Sequence, residues 1–133
     1  MMNKLFFLFS LLIVFFFISC AGPYKVTRED NALERDEKVV LMDNDLQDDI
    51  TITGLRRGRM QNGLLKVEAQ IKNQTDSALA IQIKLRFQDK DKFFIEETNW
   101  MPVVLGHYEI YSFESNSLSD KPVDYTLSIR YAK

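Results

Sequence analysis

Between Leu64 and Phe87 the chain alternates apolar and polar residues with a period of two, and no other stretch constrains the fold as tightly. Leu65, Val67, Ala69 and Ile71 alternate with Lys66, Glu68, Gln70 and Lys72; further on, Ile81, Ile83, Leu85 and Phe87 alternate with Gln82, Lys84 and Arg86. Successive side chains of a β-strand point to opposite faces, so each arm has one apolar face that must be covered and one that meets water. Between the arms, Asn73-Gln74-Thr75-Asp76-Ser77 supplies short polar side chains that bond their own backbone in turns. The pattern predicts a hairpin of two half-buried strands.

Shorter segments repeat the theme. Ile50 and Ile52 alternate with Thr51 and Thr53, Phe93 to Thr98 and Tyr108 to Phe113 are strand-like, and Val123, Tyr125, Leu127, Ile129 and Tyr131 close the chain in strong alternation. Trp100 to Leu105 is apolar but contains Pro102, which a sheet tolerates at an edge or bend. Asn62-Gly63, Asp89 to Lys92, Gly106-His107 and the long segment from Ser115 to Pro122 supply turns. No helical period of useful length occurs. The expected class is all-β, an immunoglobulin-like antiparallel β-sandwich of about seven strands.

The N-terminus has a different character. Lys4 precedes a phenylalanine-rich apolar run from Leu5 to Ile18, about 14 residues, which suits a secretory signal and falls short of the ~20 that span a bilayer. The run ends in Phe17-Ile18-Ser19-Cys20, which resembles the lipobox of bacterial lipoproteins, with Phe17 where leucine is usual. In that motif the cysteine becomes the acylated first residue of the mature chain, so Cys20 is the expected lipidation site. It is the only cysteine, and acylation leaves no thiol for a disulfide. From Ala21 to Lys38 the sequence is polar, with too few apolar residues to repay the entropy of ordering. The expected organisation is a lipoprotein signal peptide at 1–19, a lipidated N-terminus and flexible tether at 20–38, and a β-sandwich domain at 39–133. Ala21 after the cysteine follows the enteric sorting pattern for the periplasmic face of the outer membrane.

Removing residues 1–19 leaves 114 residues, one domain by size, with 16 basic and 19 acidic side chains and a formal charge of −3. That balance argues against nucleic-acid binding, which needs a basic footprint. The acid is uneven: nine of the acidic residues lie between Glu29 and Asp49. Asp43, Asp45, Asp48 and Asp49 have the flavour of a calcium loop, but Asp48 and Gly54 stand where an EF-hand needs glycine and a bidentate carboxylate. A solvated acidic turn is the better reading. His107 is the single histidine, beside a turn glycine, and Glu96 and Glu97 diverge if they lie in a strand, so neither general acid–base chemistry nor a zinc site is expected. The chain is expected to be no enzyme and to hold no cofactor or metal. Arg56, Arg57 and Arg59, in what looks like a connection leading to Asn62-Gly63, are the one basic cluster and the candidate contact for an anionic partner.

From Asp49 to Lys133, and most clearly in Gly63 to Thr75, Leu85-Arg86-Phe87-Gln88-Asp89 and Trp100, the sequence resembles the YcfL-like family of periplasmic lipoproteins. The resemblance implies a lipid-anchored small β-sandwich domain of unassigned function. Members are often encoded near a lipoprotein activator of peptidoglycan synthases, which implies a partner in cell-wall synthesis. The family tends to have an aromatic pair before the turn aspartate and a glycine three residues after it; here Phe87-Gln88 and Lys92 stand there. A left-handed backbone would cost lysine about 1 kcal/mol relative to glycine. The expected function is a lipid-anchored, non-catalytic protein-interaction module of the envelope; the alternative is a module binding a small ligand or a peptidoglycan fragment.

Overall fold

The computed structural model describes residues 37–133. The expected signal peptide, Cys20 and the tether up to residue 36 lie outside the described residues. Among the described residues, eight strands and a helical turn follow the helical Glu37 and Lys38 in order: β1 (Val39–Leu41), α1 (Leu46–Asp49), β2 (Ile50–Arg59), β3 (Leu65–Asn73), β4 (Leu79–Gln88), β5 (Phe94–Glu97), β6 (Met101–Leu105), β7 (Ile110–Asn116) and β8 (Asp124–Tyr131). One sheet runs β1-β8-β4, with β5 and β6 both along the far side of β4; the other runs β2-β3-β7. Packed together they make the β-sandwich that the alternation demands. The strand beyond the expected seven is β1, whose pairing with β8 is parallel while every other pairing is antiparallel.

The two arms of the central pattern do not pair. β3 lies in one sheet and β4 in the other, so the predicted hairpin is an arch between sheets. Alternation requires only that each arm bury one face, and arms facing each other across a core satisfy it as well as arms side by side. Asn73, fully buried, holds the arch: its amide nitrogen donates to the carbonyls of Ser77 (2.8 Å) and Gly106 (2.9 Å), and its oxygen accepts from the Thr75 N–H (2.9 Å). Between the sheets, Leu65, Val67, Ala69 and Ile71 of β3 share a core with Ile81, Ile83, Leu85 and Phe87 of β4 and with Tyr125, Leu127 and Ile129 of β8.

β5 and β6 are one edge interrupted by a bulge. Their pairing with β4 slips by one residue between Phe87↔Glu96 and Ile83↔Met101. Thr98 bridges the gap: its N–H donates to the Leu85 carbonyl (2.9 Å) and its hydroxyl accepts from the Leu85 N–H (3.0 Å). Trp100 follows in the bulge and Pro102 lies on the edge, as the sequence suggested. A second correction concerns the arginines. β3 offers ladder partners as far as Leu65, so β2 continues through Arg59 instead of ending before Arg56. The turn is confined to the residues around Gly63, which takes φ +86°, and is closed by the Met60 N–H on the Leu64 carbonyl (3.0 Å).

Candidate interaction surface

The polar positions of β4 and β8 build the outer face of the first sheet. Lys84 and Arg86 lie opposite Ser128 and Thr126 of β8, and Gln82 lies opposite Arg130. Trp100 lies beneath two cations: the Arg130 guanidinium is 4.0 Å from its ring centroid and the Lys84 ammonium 5.4 Å. Arg86 sits 5.6 Å over the ring of Phe94, whose side chain is exposed. Glu97 is the one carboxylate among them, 2.8 Å from Lys84 and 3.4 Å from Arg86. The hydrogen bond from Lys84, reinforced by Arg86, holds its carboxyl below the usual carboxylate range. Gln82 orients Arg130 by accepting from its Nε (2.8 Å). Three cations, one anion and two aromatic rings on one sheet face offer charge and stacking area, the chemistry of recognition. They include no histidine, cysteine or paired carboxylates to carry a reaction.

The expected basic cluster is divided by strand alternation. Arg56 pairs with Glu68 (2.5 Å) on the outer side of the second sheet. Arg57 and Arg59 fall opposite Val67 and Leu65, on the side of the core, and reach across the open end of the sandwich. Arg57 donates to the Val123 carbonyl (2.8 Å) and lies 3.4 Å from Asp124; Arg59 donates to the carbonyls of Gly63 (2.9 Å), Asp120 (3.2 Å) and Pro122. They fasten the segment entering β8.

Asp124 is the hub of that closure. Its carboxylate takes Lys38 at 2.5 Å and also pairs with Lys92 and Arg57. Burial alone would push its pKa up; the hydrogen bonds from Lys38 and Lys92 outweigh it and bring the pKa down to about 2. Lys38, expected to end the tether, is itself buried. Lys92 does adopt the left-handed backbone, with φ +69°.

The acidic turn is also tied down. Asp43 accepts from the Tyr131 N–H (2.8 Å) and Asp49 from the Tyr131 hydroxyl (2.7 Å), while Leu46 between them is fully buried. Burial, and then the bond to Asp49, raise the Tyr131 pKa. Glu96 and Glu97 diverge as expected: Glu96 accepts from the N–H groups of Leu118 (2.9 Å) and Ser119 (3.3 Å). His107 is exposed in the turn before β7, edge-on to Tyr108 at 6.3 Å. Among the described residues no group of three histidines, cysteines or carboxylates could hold a metal ion, and no helix is long and apolar enough to cross a membrane. Sequence reasoning missed the Trp100 face and the Asp124 hub. The polar positions of β4 and β8, taken together, carried the signal for the first; the second depends on contacts spanning 86 residues and had none.

The family described as "Protein of unknown function (DUF1425)" matches residues 37–131. The chain belongs to that family. Its fold is similar to the crystal structure of Campylobacter jejuni cj0090, with a TM-score of 0.57 at 16% identity, covering 71% of this chain and 98% of that one. It is also similar to a DUF1425 family member from Shewanella sp. pv-4, solved at 1.81 Å, with a TM-score of 0.57 at 16% identity, covering 63% of this chain and 79% of that one. At that identity the likeness is one of fold. A comparison with curated proteins finds no match.

Proposed function

We propose that this protein is a YcfL-like lipoprotein, anchored through Cys20 at the periplasmic face of the outer membrane, that works as a non-catalytic interaction module for an acidic envelope protein, with cell-wall synthesis as its setting. The observation that carries the reading is the outer face of the first sheet, where Trp100 and Phe94 lie among Lys84, Arg86 and Arg130 against Glu97 alone. Exposed charge pairs are individually worth about 0 to 1 kcal/mol, so the cations steer and orient a partner while the rings and the neighbouring Val104 supply apolar contact. Arg56, on the far sheet, is the member of the expected arginine cluster left largely in solvent, and it lies outside this docking face.

The test is photo-crosslinking in cells from a benzoylphenylalanine at Phe94 of the full chain, with the same probe at Gln61 as control. The expected result is a discrete product with one envelope protein, weakened by Lys84→Glu and Arg130→Glu. Equal products from both probe positions would overturn the reading. The second reading, a module for peptidoglycan fragments, is favoured by the same stacking surface; saturable muropeptide binding lost on Trp100→Ala would establish it instead.

A further inference from the structure

A β-sandwich of two open sheets has four edges, and natural sheets blunt such edges with short strands, bulges or proline. Three are blunted here. β1 has three residues. β2 carries a register break between Ile52 and Gly54. The β5–β6 edge is broken at Thr98 to Trp100 and carries Pro102. The fourth, β7, has none of these devices: it pairs with β3 in unbroken register from Lys66↔Asn116 to Lys72↔Ile110.

The bonds at its ends show which backbone groups are spent. The Asn73 N–H donates to the Glu109 carbonyl (2.8 Å) and the Ser117 N–H to the Leu65 carbonyl (2.9 Å), so odd-numbered positions bond to β3. In an antiparallel ladder the alternate positions point the other way. The N–H and C=O groups of Ile110, Ser112, Glu114 and Asn116 therefore face outward along the open edge, and these four residues are exposed.

We propose that β7 pairs with β7 of a second copy of this chain, antiparallel about a two-fold axis at Phe113, joining two three-stranded sheets into one of six. The strand is self-complementary in that register. Glu114 of each copy meets Ser112 of the other and Ile110 meets Asn116, so no like charges oppose one another. The outward-facing backbone groups of Ser112 and Glu114 then bond reciprocally. Beyond the strand, Tyr108 and Leu118, both exposed and both apolar, are equidistant from Phe113, which brings the Leu118 of one copy toward the Tyr108 of the other. The two-fold axis makes this a closed pair, which ends at two chains instead of growing into a filament. The Trp100 face lies on the other sheet and stays open to a different partner.

The experiment places a benzoylphenylalanine at Glu114 of the full chain in cells. The expected product has twice the chain's mass, with the crosslink mapping to the β7 segment around Ser112. Ser112→Pro removes an N–H that points away from β3, so it should abolish the product while leaving the melting temperature unchanged. Leu118→Asp, outside the strand, should lower its yield several-fold. The proposal is overturned by the absence of a double-mass product, by a crosslink mapping outside β7, or by a product that survives both substitutions.

Discussion

Replacing Asp124 with asparagine keeps its shape and removes its charge, which isolates what the hub contributes. The carboxyl ordinarily titrates at 3.8 and is held at about 2 in the fold. A depressed carboxylate stabilises the fold at any pH above its unfolded value, and that contribution fades as pH falls through the folded value. The shift corresponds to about 2.5 kcal/mol, present above pH 4 and lost between about pH 4 and pH 2. The substitution would also leave the Lys38 ammonium, whose side chain is 9% exposed, without its anion. Breaking a buried pair on one side costs about 3 to 5 kcal/mol, against a total stability of about 5 to 15. With a urea slope of about 1.5 kcal/mol/M, the midpoint at pH 7 should fall by about 2 to 3 M. Urea unfolding of wild type and Asp124→Asn, followed by circular dichroism from pH 7 down to pH 2, should show a gap that narrows as the acid limit is approached. Equal midpoints at pH 7, or a gap undiminished at pH 2, would refute the reasoning.

Ile83→Asp, at a fully buried position in the middle of β4, should abolish cooperative unfolding, while Lys84→Asp on the outer face should leave a folded domain by circular dichroism. Arg57→Ser and Arg59→Ser should each lower the melting temperature by several degrees through loss of bonds to the Asp120–Asp124 segment, and Arg56→Ser, paired only at the surface, should change it little. At Lys92, glycine removes the left-handed strain together with the ion pair and should be near neutral in a thermal melt; alanine keeps the strain, loses the pair, and should cost about 1 kcal/mol. Cys20→Ala should move the protein from the membrane fraction to the soluble fraction on cell fractionation.

The class of fold was legible because burial in a sandwich is periodic: every inward residue from Leu65 to Ile71 and from Ile81 to Phe87 is buried. Pairing was not, because the sequence specifies which face each strand buries and leaves open whether its neighbour lies beside it or across from it. The arginines show the same limit. Arg57 and Arg59 continue the inward series of Ile50 and Ile52, displaced by the break at Gly54. Period-two reasoning carried through that bulge would have placed them inward, yet three cations beside Asn62-Gly63 have the look of a solvated tip. What makes an inward arginine tolerable is the row of carbonyls at Asp120, Pro122 and Val123, which no local pattern announces.

The arch also determines what the domain can offer to others. In a hairpin β3 and β4 would share one sheet, and their polar residues would form one outer face mixing Lys66, Glu68 and Lys72 with Lys84 and Arg86. Because the link crosses the core, the charges separate. Glu68 is bound to Arg56 and Lys66, and Glu114 to Lys66, so on the outer face of the second sheet Lys72 is the one cation in excess. The first sheet keeps Lys84, Arg86 and Arg130 against Glu97. A face with a single excess charge, bordered by an unblunted edge, suits association between identical chains, for which a strong charge of one sign would be repulsive. A cationic face bearing aromatic rings suits an unlike, acidic partner. Asn73 at the crossing should therefore matter to binding as well as to folding. Asn73→Asp, which keeps the acceptor for Thr75 but loses the donor to Ser77 and Gly106, should destabilise the domain and weaken crosslinking from Phe94. Crosslinking that persists undiminished in a destabilised Asn73→Asp chain would separate the Trp100 face from the arch and refute the link between them.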